Sequence, residues 1–169
     1  RQFFNKTTKR QYVALVWGIP QPMQGTVATN IGRSLRDRLQ MDTFPLDGDM
    51  GKRAVTHYSV EETMNYVSLV KCVLETGRTH QIRVHMKSIG HPLFADARYG
   101  GDQILRGLRT QKYSRFVANC HDICPRQALH AQTLGFVHPE TGEEMFFSAP
   151  IPADMQALIE KWRLYSPVE

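Results

Sequence analysis

Nowhere in the 169 residues is there an apolar run near the roughly 18 residues that a membrane-spanning helix requires. The polar start, Arg1 to Arg10, also lacks the apolar stretch of a secretory signal. A soluble, cytoplasmic protein is therefore expected. Cysteine is scarce: Cys72, Cys120 and Cys124 are an odd set without framework spacing, which excludes a disulfide-stapled secreted domain and predicts reduced thiols. Several catalytic signatures are missing as well. No G-x-S-x-G elbow, P-loop or dinucleotide fingerprint occurs, so serine hydrolases, NTPases and nicotinamide enzymes are disfavoured. His80 and His85 do not make an H-E-x-x-H pair. Cys120, His121, Cys124 and His130 lack the second cysteine pair of a structural zinc site, so no metal is expected.

What is present is an ordinary globular composition, 41% hydrophobic and 22% charged, in a length that suits one domain or most of one. The 21 Lys and Arg exceed the 16 Asp and Glu, and the excess is unevenly placed. Residues 71–115 carry nine basic and three acidic side chains, whereas residues 138–169 carry two basic and six acidic. A cationic middle suits a polyanion such as RNA or DNA, whose phosphates release counterions to clustered Lys and Arg. A solvated basic face gives the same composition.

Local pattern predicts a strand-dominated α+β chain with no repeats. Thr7 to Ile19 is β-branched and aromatic, with a strand at Tyr12 to Trp17 stopped by Gly18 and Pro20. Thr26 to Ile31 is a second short strand. Arg33 to Phe44 is charged and aperiodic and is read as an exposed connection. Lys52 to Glu62 and Tyr66 to Glu75 alternate as a hairpin. Gln81 to Ile89 is mixed: alternation favours a strand, while a Thr79 cap and the 82, 86, 89 spacing favour a helix, which is preferred, with Gly90-His91-Pro92 ending it. Asp102 to Asp122 is basic and read as irregular. Leu129 to Phe136 and Met145 to Phe147 read as two strands around a turn, and Asp154 to Trp162 as an amphipathic helix.

The densest chemistry lies in Leu74 to His85, where a glycine turn leads a run with two guanidiniums, two imidazoles, a hydroxyl and an amide. If a helix starts there, Arg78 to Gln81 sit at its N-terminus, where free N–H groups and the dipole favour anions. A solvated turn beside a core helix is the plainer alternative.

Thr76-Gly77-Arg78-Thr79-His80-Gln81-Ile82-Arg83-Val84-His85, followed by Ile89 to Leu93 and by Asp96 to Gly100, closely resembles the third motif of the RluA-type RNA pseudouridine synthases. Lys9 to Gly18 resembles the family's K-x-Y-x-A-L-V-x-G strand, and Gly51 to Tyr58 its G-K-x-A-x-T-x-Y strand. Leu129-His130-Ala131, Phe136 to Pro139 and Ala149-Pro150 resemble its closing pattern. The resemblance implies an α+β catalytic domain with a mixed, mainly antiparallel sheet and flanking helices. It also implies conversion of uridine in structured RNA, with ribosomal RNA the expected target, and no cofactor.

The resemblance makes Tyr12 the active-site tyrosine under a flipped uracil. Arg83 becomes the partner of the catalytic carboxylate, and Arg78, Thr79, His80 and Gln81 become RNA-contacting residues. The family's catalytic Asp lies in an H-R-L-D-x-x-T-S-G motif upstream of the Tyr strand, and that motif is absent here. Gly32 to Asp37 imitates it only superficially, in the wrong order, and Asp96 is read as a structural brace. The expectation is thus a partial catalytic domain over residues 1–169 that is inactive alone, its Asp residing in an upstream segment. A non-catalytic RNA-binding protein with the same fold is the alternative. Residues 101–120 read as a basic insertion into the family pattern.

Overall fold

The computed structural model describes residues 9–167; Thr7 and Thr8, placed in the first extended stretch by sequence pattern, lie outside them. The chain runs β1 (Lys9–Trp17), β2 (Gln24–Arg33), β3 (Met41–Phe44), β4 (Lys52–Met64), β5 (Val67–Leu74), α1 (Gln81–Ser88), α2 (Gln111–Ile123), β6 (Leu129–Val137), β7 (Glu144–Ser148) and α3 (Ala153–Leu164). A single 3₁₀ turn, Ala97–Tyr99, separates α1 from α2. The strands form one sheet in the order β3-β2-β4-β5-β1-β6-β7. Every adjacent pair is antiparallel. Among the described residues no helix is long and apolar enough to cross a membrane.

Alternation along the strands sends side chains to two faces, and each face has its own cover. Ala14, Val16, Val70, Cys72 and Leu74 pack against Ile82 and Met86 of α1 and against Leu93. On the opposite face Val13, Leu15, Trp17, Val67 and Leu69 pack against Tyr113, Val117 and Cys120 of α2 and Met155, Leu158, Ile159 and Trp162 of α3. β1 and β5 are thus buried on both sides along most of their length.

Two segments read as irregular or connecting contain regular structure. The Arg33–Phe44 connection contains β3, paired to β2 from Asn30↔Phe44 to Arg33↔Met41; four residues at a sheet edge are too short to show an alternating pattern. Residues 102–122, read as irregular, contain the 13-residue α2. Its buried stripe, Tyr113, Val117 and Cys120, has helical spacing, but the intervening polar and basic residues Ser114, Arg115 and Asn119 mask it. Thr110 caps it, accepting from the Tyr113 N–H at 3.1 Å.

Candidate active site

β5 ends at Leu74, and the chain turns through Thr76 to His80 before α1 begins. Gln81 fixes that turn to β4. Its Nε2 donates to the Val55 carbonyl at 3.0 Å and to Thr56 Oγ1 at 2.8 Å. Its Oε1 accepts from Thr76 Oγ1 at 2.7 Å and from the Arg78 N–H at 3.1 Å. These four bonds use both donors and two acceptor positions of the amide, and the residue is only 3% exposed. Gln81 therefore shapes the turn from below rather than presenting a free group at its surface. Gly77 in this turn lies against the Arg10 guanidinium.

The helix cap is His80, not Thr79. His80 has φ 55° and ψ 26°, the left-handed region that a non-glycine residue occupies at a cost, and no side chain caps the helix. Its Nδ1 lies 2.7 Å from the Tyr99 hydroxyl, which accepts from the Met41 N–H at 2.9 Å. Burial, then the Arg83 and Arg98 cations, push the His80 pKa down. A neutral His80 accepts the Tyr99 hydroxyl hydrogen on Nδ1 and carries its own proton on Nε2. Arg78 is half-buried and donates through Nε to the Arg53 carbonyl at 2.8 Å, and Thr79 is exposed.

Arg83, in the first turn of α1, makes a bidentate pair with Asp96: Nε to Oδ2 at 2.9 Å and Nη2 to Oδ1 at 2.8 Å. Asp96 is fully buried and the Arg83 side chain 13% exposed. The guanidinium also lies 5.1 Å from the centre of the Tyr99 ring. Its bonds to Asp96 outweigh the burial that works against charge and raise its pKa, so Arg83 is a permanent cation. Asp96 is presented by a tight loop whose carbonyl accepts from the N–H groups of Tyr99 and Gly101. Gly101 is required, because a Cβ there would overlap the Leu93 carbonyl.

The open side of Arg83 faces a recess of about 750 Å³ shared with His80, Arg98, Arg126, Gln40 and Asp37. Nothing in the sequence singled out Arg98, Arg126 or Gln40. Arg126 is held by a bidentate pair with Asp154 at 3.0 and 2.9 Å. Asp37, set aside as a catalytic residue from the order of its motif, lines this recess while its Oδ1 accepts from the Leu39 N–H at 3.0 Å.

Tyr12 lies elsewhere. It borders a separate groove of about 370 Å³ with Arg10, Ala131 and Phe147. The β1–β6 register shifts between Gln11 and Tyr12, setting small Ala131 opposite the tyrosine. Tyr12 and Arg83 therefore line two openings. The turn borders both, Gly77 against Arg10 and His80 beside Arg83. Among the described residues no group of three or more His, Cys, Asp and Glu could hold a metal.

Fold and site together define an α+β protein whose antiparallel sheet carries a basic, arginine-centred recess beside an aromatic groove. A sequence model of the family described as RNA pseudouridylate synthase matches residues 1–88, and the chain belongs to that family, in its RluA-type branch. It is 48% identical over 163 residues to an RNA pseudouridine synthase of Chlorobaculum parvum described as uncharacterized, covering 96% of this chain and 50% of that protein. It is 42% identical over 170 residues to ribosomal large subunit pseudouridine synthase D of Neisseria meningitidis serogroup B, covering 97% of this chain and 41% of that protein. The chain spans about half the length of the curated relatives it matches. The solved structure of human RNA pseudouridylate synthase domain containing 4 superposes with a TM-score of 0.67 at 22% identity, over 96% of this chain and 65% of that one, which supports the fold.

Proposed function

We propose that this chain is the later part of the catalytic domain of an RNA pseudouridine synthase acting on structured RNA, with ribosomal RNA the substrate. One observation carries the reading: the Nε–Nη2 edge of Arg83 is bound to buried Asp96, and Arg83 also lines the recess. A guanidinium anchored on one edge is poised to take a second carboxylate on the other. That second carboxylate is the catalytic Asp, supplied by an upstream segment. An opposite charge at about 4 to 6 Å lowers a carboxylate pKa by 1 to 3 units, so Arg83 keeps the Asp ionised and oriented for attack on the sugar or for proton abstraction.

In the reaction the C–N glycosidic bond breaks and the detached uracil turns. A C–C bond then forms at C5, whose proton is lost, and N1, freed of the sugar, gains one, so atoms balance without a cofactor. Extruding the base costs a few kcal/mol. An aromatic face such as Tyr12 returns about 1 to 3 kcal/mol by stacking. Arg78, Thr79 and His80 contact the RNA backbone along the turn, while Gln81 acts by holding that turn in shape.

The test is Arg83→Ala in the complete protein. Pseudouridine formation should fall at least about a thousandfold, equivalent to about 4 kcal/mol of transition-state stabilisation. Affinity for substrate RNA should change less than about threefold. Wild-type turnover in that variant would overturn the assignment, and a complete wild-type protein that binds RNA yet forms no pseudouridine would establish the non-catalytic alternative.

A further inference from the structure

On the sheet face opposite Arg83, the start of α2 and the end of α3 enclose a groove of about 460 Å³ that the proposed chemistry does not use. Its floor is aromatic. Phe116 and Tyr165 lie 4.3 Å apart at 31°, backed by Tyr113 and Trp162. Its rim is cationic: Lys112 and Lys161 line it, and the Lys161 ammonium sits 5.4 Å from the centre of the Phe116 ring. Among the described residues no carboxylate lines it. The segment leading into it, residues 102–116, carries Arg106, Arg109, Lys112 and Arg115 against the single acid Asp102.

We propose that this groove is a second RNA-contact site that takes one unpaired nucleotide, its base against Phe116 and Tyr165 and its phosphate between Lys112 and Lys161. The proposal rests on the reading that the partner is RNA. Stacking on aromatic side chains is tolerant of base identity, and lysines at the groove edge supply the backbone contact. A volume of this size suits a single small ligand. The basic segment 101–120 then has a purpose: it brings α2 and its lysine to the aromatic end of α3. RNA engaged at both places spans the two faces of the sheet, so this groove grips a flanking single strand while the recess holds the target uridine.

The complete protein is irradiated with a six-residue oligouridylate containing 4-thiouridine, and cross-linked peptides are mapped by mass spectrometry. Cross-links to Phe116 or Tyr165 are expected, together with an approximately tenfold weaker affinity for the hexamer in Lys112→Glu/Lys161→Glu and an approximately threefold weaker one in the exposed single variant Lys112→Glu. Pseudouridine formation in the double variant should show a raised KM and an unchanged kcat. Cross-links confined to other peptides, or hexamer affinity within twofold of wild type in both variants, would overturn the proposal, as would a groove that captures a protein partner and ignores RNA. The two readings fail separately. Cross-linking at Phe116 or Tyr165 without pseudouridine formation removes the enzyme reading alone, and pseudouridine formation with neither cross-link removes the groove alone.

Discussion

The two faces of the sheet are covered by different chemistry. Under α1 the buried groups include Thr56, Gln81, His85 and Asp96, each hydrogen-bonded through its side chain to a specific partner. Under α2 and α3 the cover is a cluster of rings, with Phe94 stacked on His121 at 4.7 Å and Trp162 edge-on to Trp17, Phe94 and Phe116. The thiols on that side are inert: burial pushes Cys120 up to about 12 and raises Cys124 as well. Aromatic burial is large and tolerant of direction, so it stabilises. Matched polar pairs return little net energy but fix geometry within tenths of an ångström. One face holds the sheet together while the other aims the arginine.

Removing the largest element of each face separates these roles. Trp162→Ala should cost about 4 kcal/mol of stability, the usual scale for a buried Trp truncation. The variant should keep per-molecule turnover below its lowered unfolding midpoint in urea. If it folds normally but has lost catalysis, the division between the faces is wrong. Asp96→Asn is the counterpart. It leaves Arg83 partly buried beside a neutral amide, a loss of about 3 kcal/mol on the scale of broken buried pairs. Here turnover should fall further than unfolding explains, with kcat reduced and KM little changed, because the guanidinium loses its bidentate anchor. Turnover that tracks the folded fraction alone would reduce Asp96 to a purely structural brace.

The sequence was informative on the α1 face and revealed only α3 of the two helices covering the other. Polar groups at fixed offsets, such as Gln81, Arg83 and Asp96, leave a motif because each must meet a particular partner. The strands β1, β4 and β5 were legible from alternation and from Gly and Pro stops. α2 was not: Tyr113, Val117 and Cys120 are ordinary apolar residues diluted by Arg and Lys, and only burial reveals their spacing. The separation of Tyr12 from Arg83 was equally hidden, since a motif states which residues occur and not which opening each faces. Asp96 was recognised as a brace, yet that it braces Arg83 depends on a loop closure that only the folded chain shows.

The gentlest way to sharpen the comparison uses pH. His85 is fully buried on the α1 face, its Nδ1 2.8 Å from Thr56 Oγ1 and its Nε2 2.9 Å from Thr29 Oγ1. A neutral imidazole donates from one nitrogen and accepts at the other, and the two hydroxyls rotate to match, so the site is complete without a charge. Burial lowers its pKa from the ordinary 6.5 to about 4. The unfolded chain takes up a proton below 6.5 whereas the folded chain resists until about 4. Stability from this residue is therefore fully present above pH 6.5, declines as the pH falls, and is lost by about pH 4. Linkage puts the loss near 2 kcal/mol at pH 5, on the scale of about 1.4 kcal/mol per unit. Urea midpoints measured from pH 7.5 to 4.5 should show this slope in the wild type and a flatter one in His85→Gln, whose amide does not titrate. The lowered pKa values of His80 and His121 leave a residual slope in both. Equal slopes would mean that the α1 face, like the aromatic one, tolerates a change in its buried polar partners, and that the arginine is aimed by Asp96 and Tyr99 alone.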